Sequence, residues 1–435
     1  MQRRAALRRV GLAIGTVGAS VGTSVGVAGC TRRADPRGAL SFWAMGREAE
    51  VVAELLPPFK QRHPGIEVRI QQLPWTAAHE KLLTAYAGDA LPDLCQLGNT
   101  WIPEFSALDA LEPLDERVAA SSVKRDDYFG GILETNLIPG RDGRSSVLLG
   151  LPWYVDTRLL YYRTDLLQAA GISAPPKTWQ ELISDCDKIK ATPQGAGVNC
   201  YAGQFQKYEG LTVNAAEAIN SAGGVITDPE GKPNVNTPEA KAGLDFLANG
   251  FKQGYIAKEA LTYKEEESRR AFQEGKLIFL RNWPYVYQLA SKNDGSSQVV
   301  GKFAVAPLPG LNGPGVSSLG GHALAISSYA KNKKTAADFI NFYTAKDTNT
   351  TQVTQASLAP VWTAIYDDPT LQKQLPYLAT LKASILGAQP RPKVVRYGDA
   401  TLAIQDAAYG ALQGTVTTDQ ALAQLQTKLE QLTTS

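Results

Sequence analysis

The segment "LSFWAMGREAEVVAELLPPFKQRHPGIEVRIQ", residues 40–71, contains the two apolar periodicities that indicate the fold class. Residues 40–45 and 66–71 have the pattern of strands. Residues 48–62 between them place apolar side chains at helical spacing, which predicts one helix. A second helical pattern and a third strand, 93–98, follow directly. This β-α-β-α-β order predicts a parallel sheet covered by helices.

A second α/β unit is predicted after residue 167. Thr178 and Glu181 have capping-box spacing, which predicts a helix that starts at about residue 178. Further strands are predicted within the segments "NCYAGQ", "GKLIFL", "GKFAVAPLPG" and "GHALAISSYA". Because 435 residues exceed what a single core usually holds, we expect two α/β lobes.

Residues 1–29 have the composition of an export signal. Four arginines precede a Gly-, Val- and Ala-rich run that ends in "VAGC", residues 27–30. This ending resembles the lipobox of bacterial lipoproteins, which predicts a lipidated Cys30 followed by a tether up to residue 39. A short membrane anchor or a disordered N-terminus is the alternative, and Arg3-Arg4 leaves twin-arginine export open. We expect the protein in the periplasm or on the outer face of the cytoplasmic membrane.

The charge and the cysteine content narrow the classes of partner. Removing the four signal arginines from the 44 basic residues leaves 40 against 42 acidic residues, so no nucleic-acid partner is expected. The chain has only three histidines and no cysteine pair at metal-ligand spacing, so neither a metal site nor a cofactor is expected. Cys186 and Cys200 could pair in an oxidising compartment, which would leave Cys95 over.

The segment "GLPWYVDTRLLYYRTDLL", residues 150–167, mixes aromatic and charged residues in a predicted strand. Side chains two positions apart share a face of a strand, so Tyr154 and Asp156 point the same way. An aromatic ring packs against the apolar face of a sugar, and a carboxylate accepts hydrogen bonds from its hydroxyl groups. The segment is therefore a candidate sugar contact. A core strand whose aspartate caps a neighbouring helix is the alternative.

Three further segments carry candidate ligand contacts. Trp283 and Tyr285 follow a predicted strand that ends at a proline, and ligands of open α/β sheets bind at the strand ends. Gly320-Gly321, predicted to lie just before a strand, would let the backbone approach a ligand. Arg391 lies between two prolines, which would present its guanidinium rigidly. Aromatic packing under a loop, a simple turn and a surface salt bridge are the respective alternatives.

Over about residues 40–430 the chain resembles the extracellular solute-binding proteins of carbohydrate ABC importers, in particular trehalose/maltose-binding proteins. The resemblance is carried, in family order, by "LPWYVDTRLLYYRTDLL", "PPKTWQEL", "YEGLTVN", "RNWPYVY", "APLPG", "LGGHALAIS", "YDDP" and "PRPKV". It implies the periplasmic-binding-protein type II architecture, with two α/β lobes and a ligand cleft between them. The implied lobes are 40–155 with 304–350 and 157–300 with 355–435.

The resemblance also implies a set of ligand contacts. The acid in the first helix is Glu48, with Glu50 as the alternative. The amide is Asn99, with Thr100 as the alternative. His322 replaces a tryptophan that is usual in the family. The implied substrate-binding residues are Glu48, Asn99, Tyr154, Asp156, Trp283, Tyr285, Gly320, Gly321, His322 and Arg391.

These features predict a binding protein and not an enzyme. We expect a monomer that captures a disaccharide, trehalose and/or maltose, by cleft closure and delivers it to permease subunits in the membrane. One alternative is a binding protein for glycerol-3-phosphate or a related phosphodiester, which would require converging cationic groups. The other is a secreted glycoside hydrolase, which would place two carboxylates about 5–5.5 Å or about 6.5–9.5 Å apart.

Overall fold

The computed structural model describes residues 39–119, 125–140, 145–228, 230–392, 394 and 396–434. The predicted export signal and Cys30 lie outside the described residues. In chain order the strands are β1 (Leu40–Met45), β2 (Val68–Leu73), β3 (Leu94–Gly98), β4 (Leu137–Pro139), β5 (Ser146–Leu148), β6 (Leu151–Asp156), β7 (Leu159–Arg163), β8 (Asn199–Ala202), β9 (Leu277–Asn282), β10 (Phe303–Ala306), β11 (Ser318–Ile326), β12 (Ala359–Pro360) and β13 (Gln389–Pro390).

Helices occupy most of the chain between the strands. They are α1 (Gly46–Glu54), α2 (Leu56–Arg62), α3 (Trp75–Ala87), α4 (Ile102–Ala107), α5 (Asp115–Ala119), α6 (Gly130–Glu134), α7 (Thr164–Ala169), α8 (Trp179–Lys190), α9 (Glu209–Ser221), α10 (Pro238–Gln253), α11 (Glu265–Gln273), α12 (Tyr285–Ala290), α13 (Lys333–Thr344), α14 (Lys346–Ala356), α15 (Thr363–Tyr366), α16 (Pro369–Gln374), α17 (Leu378–Leu386), α18 (Tyr397–Gln413) and α19 (Thr418–Thr434). Among the described helices, none has both the length and the apolar composition needed to cross a bilayer.

The first sheet confirms the predicted parallel unit. Its strands lie in the order β12-β6-β11-β3-β1-β2, and β13 pairs with β11. β1 is parallel to both β2 and β3, as the β-α-β-α-β order predicts. β11 is antiparallel to β3 and to β6, so the later strands extend the sheet in mixed orientation. Apolar side chains of β1 are buried beneath α1, α2 and α13.

The second sheet has the order β10-β7-β9-β8. α8, α9, α10, α18 and α19 contribute buried apolar residues to its core. The chain leaves the first sheet at the end of β6, Asp156, and enters the second at the start of β7, Leu159, so residues 150–167 connect two α/β lobes. It returns between β10 and β11, and a third crossing lies between β13 and α18.

The predicted helix over 48–62 is wrong in one respect, because it is two helices. α1 ends at Glu54, and α2 begins at Leu56 and carries Pro57 and Pro58 in its first turn. Proline has no backbone N–H to donate to the preceding turn, but it fits the first turn of a new helix. The proline pair therefore restarts the helix while both halves keep their apolar residues on the core.

Local signals in the second lobe are confirmed. The Thr178 side chain accepts from the backbone of Glu181, and the Glu181 side chain accepts from the backbone of Thr178, which completes the capping box at the start of α8. A disulfide joins Cys186 of α8 to Cys200 of β8, with the Cα atoms 5.5 Å apart. Cys95 is a buried free cysteine, and its burial raises the pKa of the thiol to about 12.

The predicted lobe boundaries at residues 304 and 355 stay predictions. The strand pairing nevertheless assigns two strands near these boundaries to the sheet of the other lobe. β10 pairs with β7 in the second sheet, and β12 pairs with β6 in the first.

Candidate functional site

The candidate site lies where β6 ends and the chain crosses between the sheets. A chain of hydrogen bonds there joins four elements of the first lobe, β1, β3, β6 and α1. The backbone N–H of Met45 donates to Gln96 Oε1 at 2.8 Å, Gln96 Nε2 donates to Tyr154 Oη at 3.2 Å, and Tyr154 Oη donates to Glu48 Oε1 at 3.1 Å. The tyrosine ring of β6 and the carboxylate of α1 are thus oriented by a buried amide of β3.

The carboxyl group of Glu48 is only partly hydrogen-bonded. Its second oxygen, Oε2, is buried and has no hydrogen-bond partner among the described residues. Burial, with smaller contributions from the charges of Asp156 and Glu265, raises the pKa of Glu48 to about 8. A buried acceptor without a donor favours a ligand that supplies one, and a sugar hydroxyl group is such a donor.

Three aromatic side chains pack together next to the carboxyl group of Glu48. The imidazole of His322 in β11 stacks on Tyr154 with ring centroids 4.8 Å apart, and Trp75 contacts the same imidazole edge-on at 5.0 Å. Burial and the nearby charge of Arg391 lower the pKa of His322 to about 3, so the imidazole is neutral at physiological pH. The predicted contact at His322 is therefore an uncharged ring.

The second lobe contributes the aromatic pair after β9. The backbone N–H of Trp283 donates to Asn282 Oδ1 at 2.7 Å, and the Tyr161 hydroxyl donates to the Trp283 backbone carbonyl oxygen at 2.7 Å. The Tyr285 hydroxyl donates to Glu266 Oε1 at 2.8 Å. Both rings are partly exposed, so each keeps surface for a ligand.

Asp156 lies between these two groups of residues, at the crossing itself. Its side chain is 13% exposed, and its Oδ2 lies 3.4 Å from Arg158 Nη1. The pair is longer than a strong charge-assisted hydrogen bond, so the carboxylate has remaining capacity to accept.

The predicted position of Gly320-Gly321 before a strand is wrong, because both glycines lie inside β11. A Cβ atom on Gly320 would lie 3.2 Å from the Asp156 side chain, and one on Gly321 would lie 2.1 Å from Ile132 Cδ1. Close packing against other residues of the protein therefore explains the glycine at both positions. Their role as ligand contacts stays a prediction.

Arg391 bridges the two lobes. Its Nη2 donates to Asn99 Oδ1 at 3.4 Å, and its Nη1 lies 3.5 Å from Glu209 Oε1 of α9. Asn99 is only 4% exposed, and Glu209 also accepts from the hydroxyl groups of Tyr397 and Thr401. The guanidinium thus satisfies protein partners from both sides of the cleft, which a sequence argument from its flanking prolines does not predict.

Sequence reasoning missed Trp75, Glu217 and Glu265. Trp75 begins α3 just after the parallel strand β2, and an aromatic residue at a strand end is the same signal that selected Trp283. Glu265 lies in the first turn of α11, and burial raises its pKa to about 7. The position of Glu217 inside α9 carries no sequence signal of this kind. Among the described residues, no group of three or more histidine, cysteine, aspartate or glutamate side chains is arranged to hold a metal ion.

Comparisons with known proteins show which family and which fold this chain shares. The profile of the family described as bacterial extracellular solute-binding protein matches residues 44–350. A probable ABC transporter-binding protein of Deinococcus radiodurans is 36% identical over 350 residues, covering 77% of this chain and 78% of its own. A mannitol-binding protein of Pseudomonas aeruginosa is 27% identical over 293 residues, covering 66% of this chain and 64% of its own. The solved structure of maltose-bound T. maritima MalE3 is 31% identical, with a TM-score of 0.83 over 91% of this chain and 99% of that one.

Proposed function

The chain belongs to the family of bacterial extracellular solute-binding proteins, and from this premise we propose that it is the sugar-capturing component of an ABC importer. Its ligand is a neutral disaccharide of the maltose or trehalose type. It binds this ligand without covalent chemistry and presents it to permease subunits in the membrane.

One observation carries the proposal. Aromatic rings and carboxyl groups of both lobes lie beside the crossing, with Trp75, Tyr154 and Glu48 on one side and Trp283 on the other. Asp156 lies at the connection itself. Ring faces suit the apolar C–H surfaces of a pyranose, and carboxylates suit its hydroxyl groups. The maltose bound to the T. maritima relative supports this class of ligand.

The charges favour a neutral ligand over glycerol-3-phosphate. Arg158 and Arg281 pair with Glu217, Arg158 also lies 3.4 Å from Asp156, and Arg391 pairs with Glu209, so three carboxylates face these three guanidiniums. With its pKa raised to about 8, Glu48 is a neutral acid near pH 7 and supplies no positive charge. A phosphate would therefore meet only guanidiniums that already pair with protein carboxylates, and the loss of its own hydration would be poorly compensated.

An acyclic polyol is the second candidate ligand, and the mannitol-binding relative favours it. A polyol offers the same hydroxyl groups as a sugar but has no ring face. It would therefore use the carboxylates and leave the aromatic surfaces less occupied.

Ligand binding is coupled to closure of the two lobes. A sugar that contacts both lobes binds the closed arrangement more tightly than the open one, and this difference in affinity shifts the equilibrium. The closed arrangement also has protein contacts that do not involve the ligand. Arg391 donates to Asn99, and His79 of α3 lies 3.7 Å from the position that a Cβ atom on Gly398 of α18 would take. The permease then recognises the closed form. Lipidation of Cys30 would keep the protein at the membrane.

Titration calorimetry of the purified protein with maltose, trehalose, sucrose, mannitol and glycerol-3-phosphate tests the proposal. We expect saturable binding of maltose or trehalose, weaker binding of mannitol and none of glycerol-3-phosphate. Tight binding of glycerol-3-phosphate, or of mannitol alone, would contradict the disaccharide assignment. Release of glucose from maltose by the protein would instead support the hydrolase alternative.

A further inference from the structure

A buried ion cluster lies behind the candidate site, at the crossings between the lobes. Glu217 of α9 accepts from Arg158 Nε at 2.7 Å with Oε1 and from Arg281 Nε at 2.6 Å with Oε2. The same Oε1 accepts from the Ser317 hydroxyl at 3.0 Å and the Ser318 N–H at 2.9 Å. None of the three charged residues is more than 4% exposed. One carboxylate therefore satisfies donors from β9 and from two separate crossing segments.

Glu217 is held in its ionised form. Burial by itself would raise the pKa of this carboxyl, but the charges of Arg281 and Arg158, together with the hydrogen bonds from Ser318 and Arg158, outweigh burial and keep the pKa below its usual value. Each guanidinium needs the same counter-charge, because a buried cation without a partner is strongly unfavourable. Arg158 also donates to the Ser318 carbonyl oxygen at 2.5 Å and Arg281 also donates to Gln204 Oε1, but Glu217 is the carboxylate that both guanidiniums share.

Both arginines act on residues of the candidate site. The guanidinium carbons of Arg158 and Arg281 lie 5.2 Å and 5.1 Å from the centroid of the Trp283 ring, within cation–π distance. Arg158 also lies 3.4 Å from Asp156. The aromatic platform and the acid at the crossing are therefore oriented by cations that Glu217 fixes.

We propose that Glu217 is a positioning residue for ligand capture, which sets Trp283 and Asp156 through Arg158 and Arg281 without touching the ligand. The proposal rests on the proposed function, since it requires that a sugar binds at Trp283 and Asp156. It assigns a role in ligand affinity to Glu217, a buried residue of the second-lobe helix α9.

The test combines Glu217→Gln with Trp283→Ala in a double-mutant cycle of sugar affinity, measured by calorimetry with maltose. Glutamine has nearly the same shape but turns an amide donor toward a guanidinium. We expect Glu217→Gln to weaken affinity about tenfold in the wild-type background and by less than about threefold when Trp283 is already alanine. Glu217→Asp, which keeps the charge, should bind more tightly than Glu217→Gln. Glu112→Gln is the matched control, because Glu112 also accepts from two cations, Arg117 and Lys333, outside the site.

Equal losses in both backgrounds, or an unchanged affinity of Glu217→Gln, would overturn the proposal. Should Glu217→Gln not fold, the cycle is run with Arg281→Lys, which keeps the positive charge and removes the fork of donors. A second measurement needs no ligand. It is the acrylamide quenching of Trp283 fluorescence, obtained as the difference between the wild type and Trp283→Phe. We expect quenching of Trp283 to increase when Glu217 is replaced, and unchanged quenching would refute the positioning role. If the wild type binds none of the sugars, the proposed function fails while the quenching result still decides the role of Glu217.

Discussion

Replacing Glu48 by glutamine should stabilise the unliganded protein at alkaline pH and change its stability little near pH 5. The pKa of Glu48 is about 8 in the folded protein because the carboxyl is buried, against 4.5 for an unperturbed glutamate. Between these two values the folded state holds a proton that the unfolded state has released. Stability from this group is therefore complete below about pH 4.5 and is lost as the pH rises to about 8.

The magnitude follows from the same two values. A difference of one bound proton changes the free energy of unfolding by about 1.4 kcal/mol per pH unit. Over the roughly 3.5 pH units between these values this gives an upper limit of about 5 kcal/mol, and water reaching the partly exposed side chain reduces it. Glutamine resembles the neutral acid and does not titrate. Glu48→Gln should thus exceed the wild type by about 1–4 kcal/mol near pH 8.5 and match it near pH 5.

Urea unfolding of the unliganded protein at several pH values measures this difference. Subtracting the wild-type curve from that of Glu48→Gln removes the titration of other groups that the two proteins share. Glu50→Gln is the control, since Glu50 lies on the same helix but is 54% exposed and paired with Arg47. A stability difference that is independent of pH would refute the reasoning, because it would mean that Glu48 is solvated and ionised near neutral pH.

Three further results are expected. Trp283→Ala should weaken sugar binding by about 2–4 kcal/mol and Asp156→Ala by about 1.5–3 kcal/mol, with little change in the melting temperature of the unliganded proteins. Calorimetry measures the affinities and melting curves measure the stabilities. Normal sugar affinity in both variants would remove these residues from the site. Replacing Cys186 and Cys200 together by alanine should lower the free energy of unfolding by about 3 kcal/mol for a loop of about 15 residues, whereas an unchanged urea midpoint would show that the disulfide does not stabilise the fold. Cys30→Ala should move the protein from the membrane to the soluble fraction of its host, and continued membrane association would count against lipidation.

Tyr329→Ala is the control for the aromatic substitution. Tyr329 follows β11 on the surface and is 36% exposed, so its loss also removes a ring but should leave sugar affinity unchanged. A drop in affinity equal to that of Trp283→Ala would show that the effect is not specific to the crossing.

Features that depend on neighbours in the sequence were predictable from the sequence. The alternation of residues 40–45 reports one-sided burial in a strand, the short apolar run 94–98 reports a strand buried on both faces, and the helical spacing after residue 75 reports burial along one face of a helix. The Thr178–Glu181 capping box also closes within four residues. Such patterns need no knowledge of distant partners, which is why the parallel unit and the start of α8 agree with prediction.

Only the tertiary structure decided which groups face one another and in what ionisation state. Arg391 meets an asparagine 292 positions away, and the space beside Gly321 is filled by Ile132. Glu217 receives donors 59 to 101 positions distant, and a helical pattern contains no information about them. The pKa of Glu48 depends on how much water the folded chain excludes from its carboxyl. Short-range periodicity thus determined the elements of this protein, while long-range packing determined its site, because burial and opposing charge exist only after the chain has folded.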